Sequence, residues 1–257
     1  MVKYVFLSLV FCIATKSVAQ NDLSSWSERP LNRNLVKSWP FSNPIGRASI
    51  WDIAQDKDGF LWLATSEGLI RFDGEQVKTF DSSNTPGFDS QYFTQVEIDH
   101  EDRIWVAGSS GLYYYENNKF LKWKSGAFDF REVRSIVLNG QNELLILARR
   151  TLYSIRNDSL IRRPYAISDA YFIGEGASNK VWIVRNSGQV QYLEDGKINN
   201  LNIADSLLGA GKVRAVIDDD DENVYLSLSN GGLLLFDQKK IHKIESNPFW
   251  YPFGGSK

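Results

Sequence analysis

Residues 58–76, "DGFLWLATSEGLIRFDGEQ", place three glycines between short apolar runs. Glycine adopts a positive φ without steric penalty, so these glycines predict tight turns. The runs themselves predict strands: residues 49–54 alternate in polarity, and residues 60–65, 69–72 and 76–80 follow them after short breaks. The stretch therefore predicts four antiparallel strands joined by three hairpins, which is one sheet of meander topology.

The pattern returns in four weaker copies. When the copies are aligned on Trp62, Trp105, Leu145, Trp182 and Tyr225, they are spaced 43, 40, 37 and 43 residues apart. A period near 40 residues is typical of repeat architectures. A four-stranded sheet that is apolar on both faces has to stack on its neighbours, so the sequence predicts an all-β fold, a β-propeller with five recognisable blades. We expect the large residue at the alignment position to pack between blades.

The predicted organisation has four parts. Residues 1–19 have a lysine, an apolar run and small residues before Ala19, which is typical of a cleaved signal peptide. Residues 20–46 form a lead-in, in which Leu35 to Phe41 is able to supply a closing strand. The repeats occupy residues 47–245, and residues 246–257 are a tail that resembles the start of another blade. The blades are predicted at about 47–80, 91–123, 131–163, 170–201 and 212–244.

Composition excludes several classes of function. The only cysteine, Cys12, lies in the predicted signal peptide, so a disulfide scaffold or cysteine zinc site is not expected. Basic and acidic residues number 29 and 31, which gives no field that would attract nucleic acid. No stretch after the signal peptide is long enough to span a membrane. We therefore expect an exported protein, either periplasmic or secreted.

The string "IWDIAQDKDGFLWLATSEGLIRFDG", residues 50–74, resembles the repeats of two component regulator propellers. The resemblance covers about residues 34–244 and weakens along the chain. In the second copy Arg103 takes the place of the first glycine, and the third copy has Leu145 for tryptophan and Thr151 for the second glycine. The positions that carry the repeat pattern are Asp56, Gly59, Trp62, Thr65, Gly68, Leu69, Phe72, Asp73, Gly74, Trp105, Gly111, Leu112, Trp182, Gly188, Tyr225 and Gly231.

This resemblance implies the periplasmic sensor region of a hybrid two-component or diguanylate-cyclase-type signalling protein. It implies a non-catalytic propeller that binds a small molecule or oligosaccharide and uses no cofactor. Family members continue into an immunoglobulin-like domain, a membrane helix and an output domain. We therefore expect a fragment of a longer protein, with those domains as its partners, and the alternative is a complete five-bladed protein. An open ring would expose blade edges and favour self-association.

The predicted ligand site is the funnel, where the starts of the inner strands and the second hairpin of each blade converge. Arginine and tyrosine at these loops suit an anionic or hydroxyl-rich ligand. The candidates at strand starts are Arg47, Tyr92, Arg131, Tyr171 and Arg214. The candidates in the hairpins are Glu67, Ser109, Arg149, Arg150, Arg185, Asn186 and Asn230.

Two alternatives remain open. The first is a secreted propeller enzyme, a lyase or glycan-active protein, which would require a cluster of acids and bases with perturbed pKa values in the funnel. The second is a lectin-like module with one sugar site per blade, but equivalent loop positions show no repeated residue. His100 and His242 lie 142 residues apart, and no metal-binding or nucleophile motif accompanies them. We therefore predict no metal site and no catalytic residue.

Overall fold

The computed structural model describes residues 44–125, 128–176, 180–218, 223–237 and 240–244. The predicted signal peptide, the segment Leu35 to Phe41 and the tail lie outside the described residues. Within the described part, no helix combines the length and apolarity needed to cross a membrane.

The chain forms five four-stranded antiparallel sheets, each with its strands in sequence order. These sheets are the blades of a β-propeller, which confirms the predicted fold class. Blade 1 consists of β1 (Ile50–Gln55), β2 (Leu61–Thr65), β3 (Gly68–Phe72) and β4 (Val77–Phe80). Blade 2 consists of β5 (Phe93–Ile98), β6 (Ile104–Gly108), β7 (Gly111–Glu116) and β8 (Lys119–Lys122). Blade 3 is β11 (Val133–Leu138), β12 (Leu144–Ala148), β13 (Thr151–Arg156) and β14 (Ser159–Arg163). Blade 4 is β15 (Ala170–Glu175), β16 (Val181–Arg185), β17 (Val190–Glu194) and β18 (Lys197–Leu201), and blade 5 is β19 (Val213–Asp218), β20 (Val224–Leu228), β21 (Leu233–Phe236) and β22 (Ile241–Ile244).

Short elements fill the connections. Helix α1 (Pro44–Arg47) precedes blade 1, and helix α2 (Asp205–Leu208) lies between blades 4 and 5. A small hairpin of β9 (Lys124–Ser125) and β10 (Phe128–Asp129) joins blades 2 and 3. The inner strands β1, β5, β11, β15 and β19 contact one another in that order.

The core is a series of apolar layers between consecutive blades. Trp62 lies between blades 1 and 2, Trp105 between blades 2 and 3, and Trp182 between blades 4 and 5. Each of these side chains is at most 3% exposed. Leu145 takes the same place between blades 3 and 4. The predicted role of the alignment residue as a wedge between blades is therefore confirmed at these four positions.

An acidic or amide side chain closes the first hairpin of blades 1, 2 and 3. Asp99 Oδ1 accepts the backbone N–H groups of Glu101 and Arg103, and its Oδ2 accepts the Trp105 indole N–H at 2.9 Å. Asp56 binds its own turn and Trp62 in the same way. The repeated aspartate thus fixes both the turn and the orientation of the wedge tryptophan.

The structure corrects one alignment made from the sequence. The residue that replaces Gly59 in blade 2 is Asp102, with φ of 63°, and not Arg103. Aspartate tolerates the left-handed region better than most residues because its short side chain bonds locally. In blade 3, where Thr151 replaces the second glycine, Arg149 and Arg150 build the second turn with φ of 46° and 65°.

Every inner strand carries a β-bulge near its start. In blade 1 the register shifts between Ile50 and Asp52, which leaves Trp51 as the extra residue. The equivalent shifts make Thr94, Arg134, Tyr171 and Arg214 the extra residues of the other blades. A bulge turns its extra side chain away from the regular ladder, and bulges are over-represented next to functional sites.

The residue after each of the first three bulges joins its blade to the next. Asp52 Oδ2 accepts the N–H of Val96 at 3.0 Å, and Gln95 Oε1 accepts the N–H of Ile136 at 2.6 Å. Ser135 Oγ accepts the N–H of Ile173 and donates to its carbonyl, both at 3.0 Å. In blade 4 the equivalent residue is Phe172, whose side chain has no acceptor. We name these three contacts the inner-strand clamps.

Candidate functional site

The starts of the inner strands and the second hairpins lie on one face of the propeller. In blade 1 the Ser66 N–H donates to the Ser49 carbonyl at 3.0 Å. The Ser109 carbonyl of the blade 2 hairpin accepts the N–H of Glu132, at the start of blade 3, also at 3.0 Å. Backbone hydrogen bonds therefore hold these loops together, both within a blade and between neighbours. We name this face the funnel face.

An open pocket of about 390 Å³ lies on the funnel face between blades 2, 3 and 4. We name it the funnel pocket. Three of its residues were predicted from the sequence, and four were not. The lining residues are Tyr92, Thr94, Ser109, Glu132, Val133, Arg134 and Tyr171.

Three of the four residues that sequence reasoning missed lie on strand β11 or directly before it. The sequence prediction chose Arg131 at this strand start, but Arg131 does not line the pocket, whereas Glu132 and Arg134 do. The bulge between Val133 and Ser135 re-aims Arg134, whereas Arg131 precedes the strand and lies before the bulge. Aligning the apolar residues Phe93 and Val133 would have indicated Thr94 and Arg134 as equivalent positions.

The other predicted residues have different surroundings. The side chain of Arg47 lies outside the described residues, and Glu67, Arg131, Arg149 and Arg150 are exposed. Arg185 is held by Asp169, Gln191 and the carbonyl of Ala166. Asn230 Oδ1 accepts the N–H of Gly232, and the Asn186 carbonyl accepts from Lys212. Arg185 and Asn230 thus have partners within their own blades.

Two tyrosines, Tyr92 of blade 2 and Tyr171 of blade 4, line the funnel pocket. The Tyr171 hydroxyl donates to the carbonyl of Val213 at 2.7 Å and lies 3.1 Å from that of Arg214. The Arg214 guanidinium lies 5.9 Å from the centre of the Tyr171 ring. Tyr92 packs against Trp51 with ring centres 5.7 Å apart and is 37% exposed. The Tyr171 ring is therefore fixed, and the Tyr92 ring is accessible.

The charged groups of the pocket have no ion-pair partner among the residues that the structure describes. Glu132 and Arg134 are both exposed, and neither forms a salt bridge with the other or with a neighbour there. Unpaired charges that converge on a concave surface are available to a ligand. In the described part of the chain, no group of three or more histidine, cysteine, aspartate or glutamate side chains is arranged to hold a metal ion.

Three carboxyl groups on the inner strands have raised pKa values. Burial raises the pKa of Asp52 to about 7, although hydrogen bonds from Val96 and Ile53 act in the opposite direction. Burial, together with the charges of Asp52 and Glu175, raises the pKa of Glu97 well above its usual range. Burial also raises the pKa of Glu175. Sequence reasoning missed this set because the three residues occupy different positions in their repeats.

The family model described as two component regulator propeller matches residues 45–67. This match covers helix α1 and the first two strands of blade 1, where the sequence resemblance is strongest. The chain thus carries a two component regulator propeller repeat. No curated protein matches the chain in sequence.

Solved structures with the same fold include extracellular domains described as parts of two component systems, and a lyase. The extracellular domain of BT3049 from B. thetaiotaomicron, described as a hybrid two component system, is 23% identical over 75% of this chain and 29% of its own, with a TM-score of 0.58. The corresponding domain of BT4673 from the same organism is 16% identical over 81% of this chain and 33% of its own, with a TM-score of 0.62. Virginiamycin B lyase from Staphylococcus aureus is 12% identical over 77% of this chain and 71% of its own, with a TM-score of 0.60.

At these identities the likeness establishes the fold alone. The chain spans about a third or less of the two B. thetaiotaomicron domains. The fold is therefore shared by proteins of two functional classes. Fold alone does not assign this chain to either class, so its function has to be argued from the site.

Proposed function

We propose that this chain is a ligand-sensing propeller of an exported bacterial signal-transduction protein. Its ligand is a small molecule or an oligosaccharide, bound without chemical change in the funnel pocket. The observation that carries the proposal is the convergence of side chains from blades 2, 3 and 4 on one open pocket. The regulator-propeller repeat at residues 45–67 supports the same function.

The pocket has the composition expected of a binding site. Tyr92 and Tyr171 provide aromatic surface, and Thr94 and Ser109 provide hydroxyl groups that both donate and accept hydrogen bonds. A few directed polar groups beside aromatic surface are typical of small-molecule sites. In a longer signalling protein, a ligand that favours one packing of the blades would shift a two-state output.

A thermal-shift screen of the mature chain, from residue 20 onward, tests this proposal. We expect one class of oligosaccharide or small molecule to raise the unfolding temperature as its concentration rises, because a ligand that binds only the folded state stabilises it. The variant Tyr92→Ala should lose this response. The control Leu121→Ala removes a side chain of similar exposure, 39%, on the outer strand β8 and should keep it. A response that Tyr92→Ala retains would contradict the funnel pocket as the site.

The carboxyl groups of the inner strands favour an enzyme as the second candidate. A carboxyl group with a raised pKa is what a general acid requires near neutral pH. Against this reading, both Asp52 oxygens accept backbone N–H groups, and neither Asp52 nor Glu97 lines the funnel pocket. If a glycan is cleaved by the mature chain and Glu97→Gln abolishes cleavage, the enzyme reading replaces the sensor.

A further inference from the structure

The five bulges present one extra side chain from each blade on the funnel face, and these five side chains are of four residue types. The extra residues are Trp51, Thr94, Arg134, Tyr171 and Arg214, one from each blade. We name this set the bulge ring. Thr94, Arg134 and Tyr171 line the funnel pocket directly. Because the positions are structurally equivalent and chemically different, the ring is asymmetric and presents one distinct surface to a ligand.

The bulge ring contains hydrogen-bond donors and no carboxylate. The Arg134 guanidinium has no hydrogen-bond or ion-pair partner within the described residues. The Trp51 indole N–H also has no acceptor there, but it is buried and Trp51 does not line the funnel pocket, so a ligand in the pocket does not reach it. A ligand that complements this ring therefore supplies acceptor atoms.

Arg134 determines which kind of acceptor fits best. A guanidinium is planar and offers paired N–H donors that match the two oxygens of a carboxylate or a sulfate. The second guanidinium of the ring, that of Arg214, already lies against Tyr171. Arg134 is consequently the ring's available cation inside the pocket, and an anionic group of the ligand meets it there.

The remaining pocket residues fit the neutral part of the same ligand. Both hydroxyl contacts of Tyr171 go to backbone carbonyls of blade 5, so its ring is a fixed apolar surface. Glu132 adds an acceptor for hydroxyl groups and opposes a ligand that carries negative charge over its whole length. Aromatic surface, hydroxyl partners and a single cation together suit a sugar ring with one acidic substituent.

We propose that the ligand of the funnel pocket is an acidic saccharide whose carboxylate or sulfate binds Arg134. This inference rests on the proposed function, since it assigns a ligand class to the same pocket. Arg134 is the specificity-determining residue, and Tyr171 and Glu132 position the sugar ring beside it.

Calorimetric titration with matched pairs of probes tests the inference. The probes are uronate-containing oligosaccharides with their carboxyl-reduced counterparts, and sulfated oligosaccharides with their desulfated counterparts. We expect an acidic member to bind at least tenfold more tightly than its neutral counterpart, and the pair that shows this difference identifies carboxylate or sulfate. Arg134→Gln should abolish the difference, and Arg134→Lys should retain part of it, because lysine keeps the charge without the planar pair of donors.

Arg131→Gln is the matched control. Arg131 lies three residues away, is equally exposed and lies outside the pocket lining, so this variant removes the same charge from the same strand start. We expect it to change affinity by less than twofold.

Three results would overturn the inference. If neutral probes bind as tightly as acidic ones and Tyr92→Ala still abolishes binding, the pocket is the site but does not select an anion. If Arg131→Gln and Arg134→Gln weaken binding equally, the effect is one of general surface charge. If no probe binds, the acidic-saccharide inference fails, whereas the proposed function is decided by the thermal-shift screen; if binding is insensitive to Tyr92→Ala, the funnel pocket is not the site and both fail.

Discussion

The carboxyl groups of the inner strands predict that the free energy of unfolding decreases as the pH rises from about 4 to 7. Asp52 and Glu97 lie on the adjacent inner strands β1 and β5; burial is the main reason that both pKa values are raised, and the charge of Asp52 adds to the effect at Glu97. Glu175, on β15, acts in the same direction, although His100 partly offsets this effect when it is charged. The folded protein therefore retains protons in this range that the unfolded chain releases.

The magnitude follows from Asp52. Its pKa is 3.8 in the unfolded chain and about 7 in the folded protein, so the stabilisation is complete below pH 4 and is lost as the pH rises through 7. At about 1.4 kcal/mol per pH unit, the loss is on the order of 4 kcal/mol. Glu97 and Glu175 add to it with the same sign. The carboxyl groups with lowered pKa values, those of Asp73, Asp81 and Asp89, change their contribution only below about pH 4.

Urea unfolding of the mature chain at half-unit steps from pH 4.5 to 8 measures this dependence. Glu97→Gln should raise the free energy of unfolding at pH 8 and flatten the profile, because it removes a buried carboxyl group whose pKa is raised by burial. Glu97 accepts no hydrogen bond from the described residues, so glutamine replaces it without breaking one. Glu116→Gln, on an exposed position of the same blade, is the control and should follow the wild type. A wild-type stability that is constant or rises towards pH 8 would refute the reasoning.

Two further predictions concern contacts between and within blades. Ser135→Ala should lower the free energy of unfolding, measured with urea, by about 2–4 kcal/mol, because it leaves the buried N–H and carbonyl of Ile173 without partners. The control Ser159→Ala, on an exposed site, should cost less than about 0.5 kcal/mol. A loss below about 1 kcal/mol in Ser135→Ala would mean that this clamp contributes little to stability. Asp99→Ala should lower the free energy of unfolding by about 2–4 kcal/mol and shift the fluorescence of Trp105, since two backbone N–H groups and the indole N–H lose their acceptor. Unchanged fluorescence would show that packing alone orients this tryptophan.

The sequence indicated the architecture more completely than the site. Local signals determine the blades: alternating apolar residues predict the strands, glycines and aspartates predict the turns, and Trp62, Trp105 and Trp182 recur with the period of the repeat. The bulges have no such signal, because the extra residues are of four types and no single type recurs through the repeats; they are Trp51, Thr94, Arg134, Tyr171 and Arg214. A register shift of one residue moves a side chain to the other face of a strand. Arg131 was therefore chosen where Arg134 lines the pocket.

The inner-strand clamps were missed for a related reason. Their acceptors, Asp52, Gln95 and Ser135, are three different residue types that perform one structural task, so no repeated letter marks them. Each bonds to a backbone N–H of the next blade, which is about 40 residues away along the chain. Contacts of this kind depend on the stacking of sheets and are invisible to patterns within a single repeat.

The bulge residues and the clamps are adjacent along the inner strands of blades 1, 2 and 3, and this adjacency links the pocket to the packing of the blades. Arg134 lines the funnel pocket, and the next residue, Ser135, holds blade 4 through both backbone groups of Ile173. Thr94 is followed in the same way by Gln95, which holds blade 3. A ligand that draws Arg134 towards Tyr171 acts on the blade 3 to blade 4 junction directly, because one peptide bond separates the contact from the clamp. The proposed sensor function requires that a binding event change the packing between rigid parts, and the inner strands of blades 2 and 3 would supply that connection within two consecutive residues.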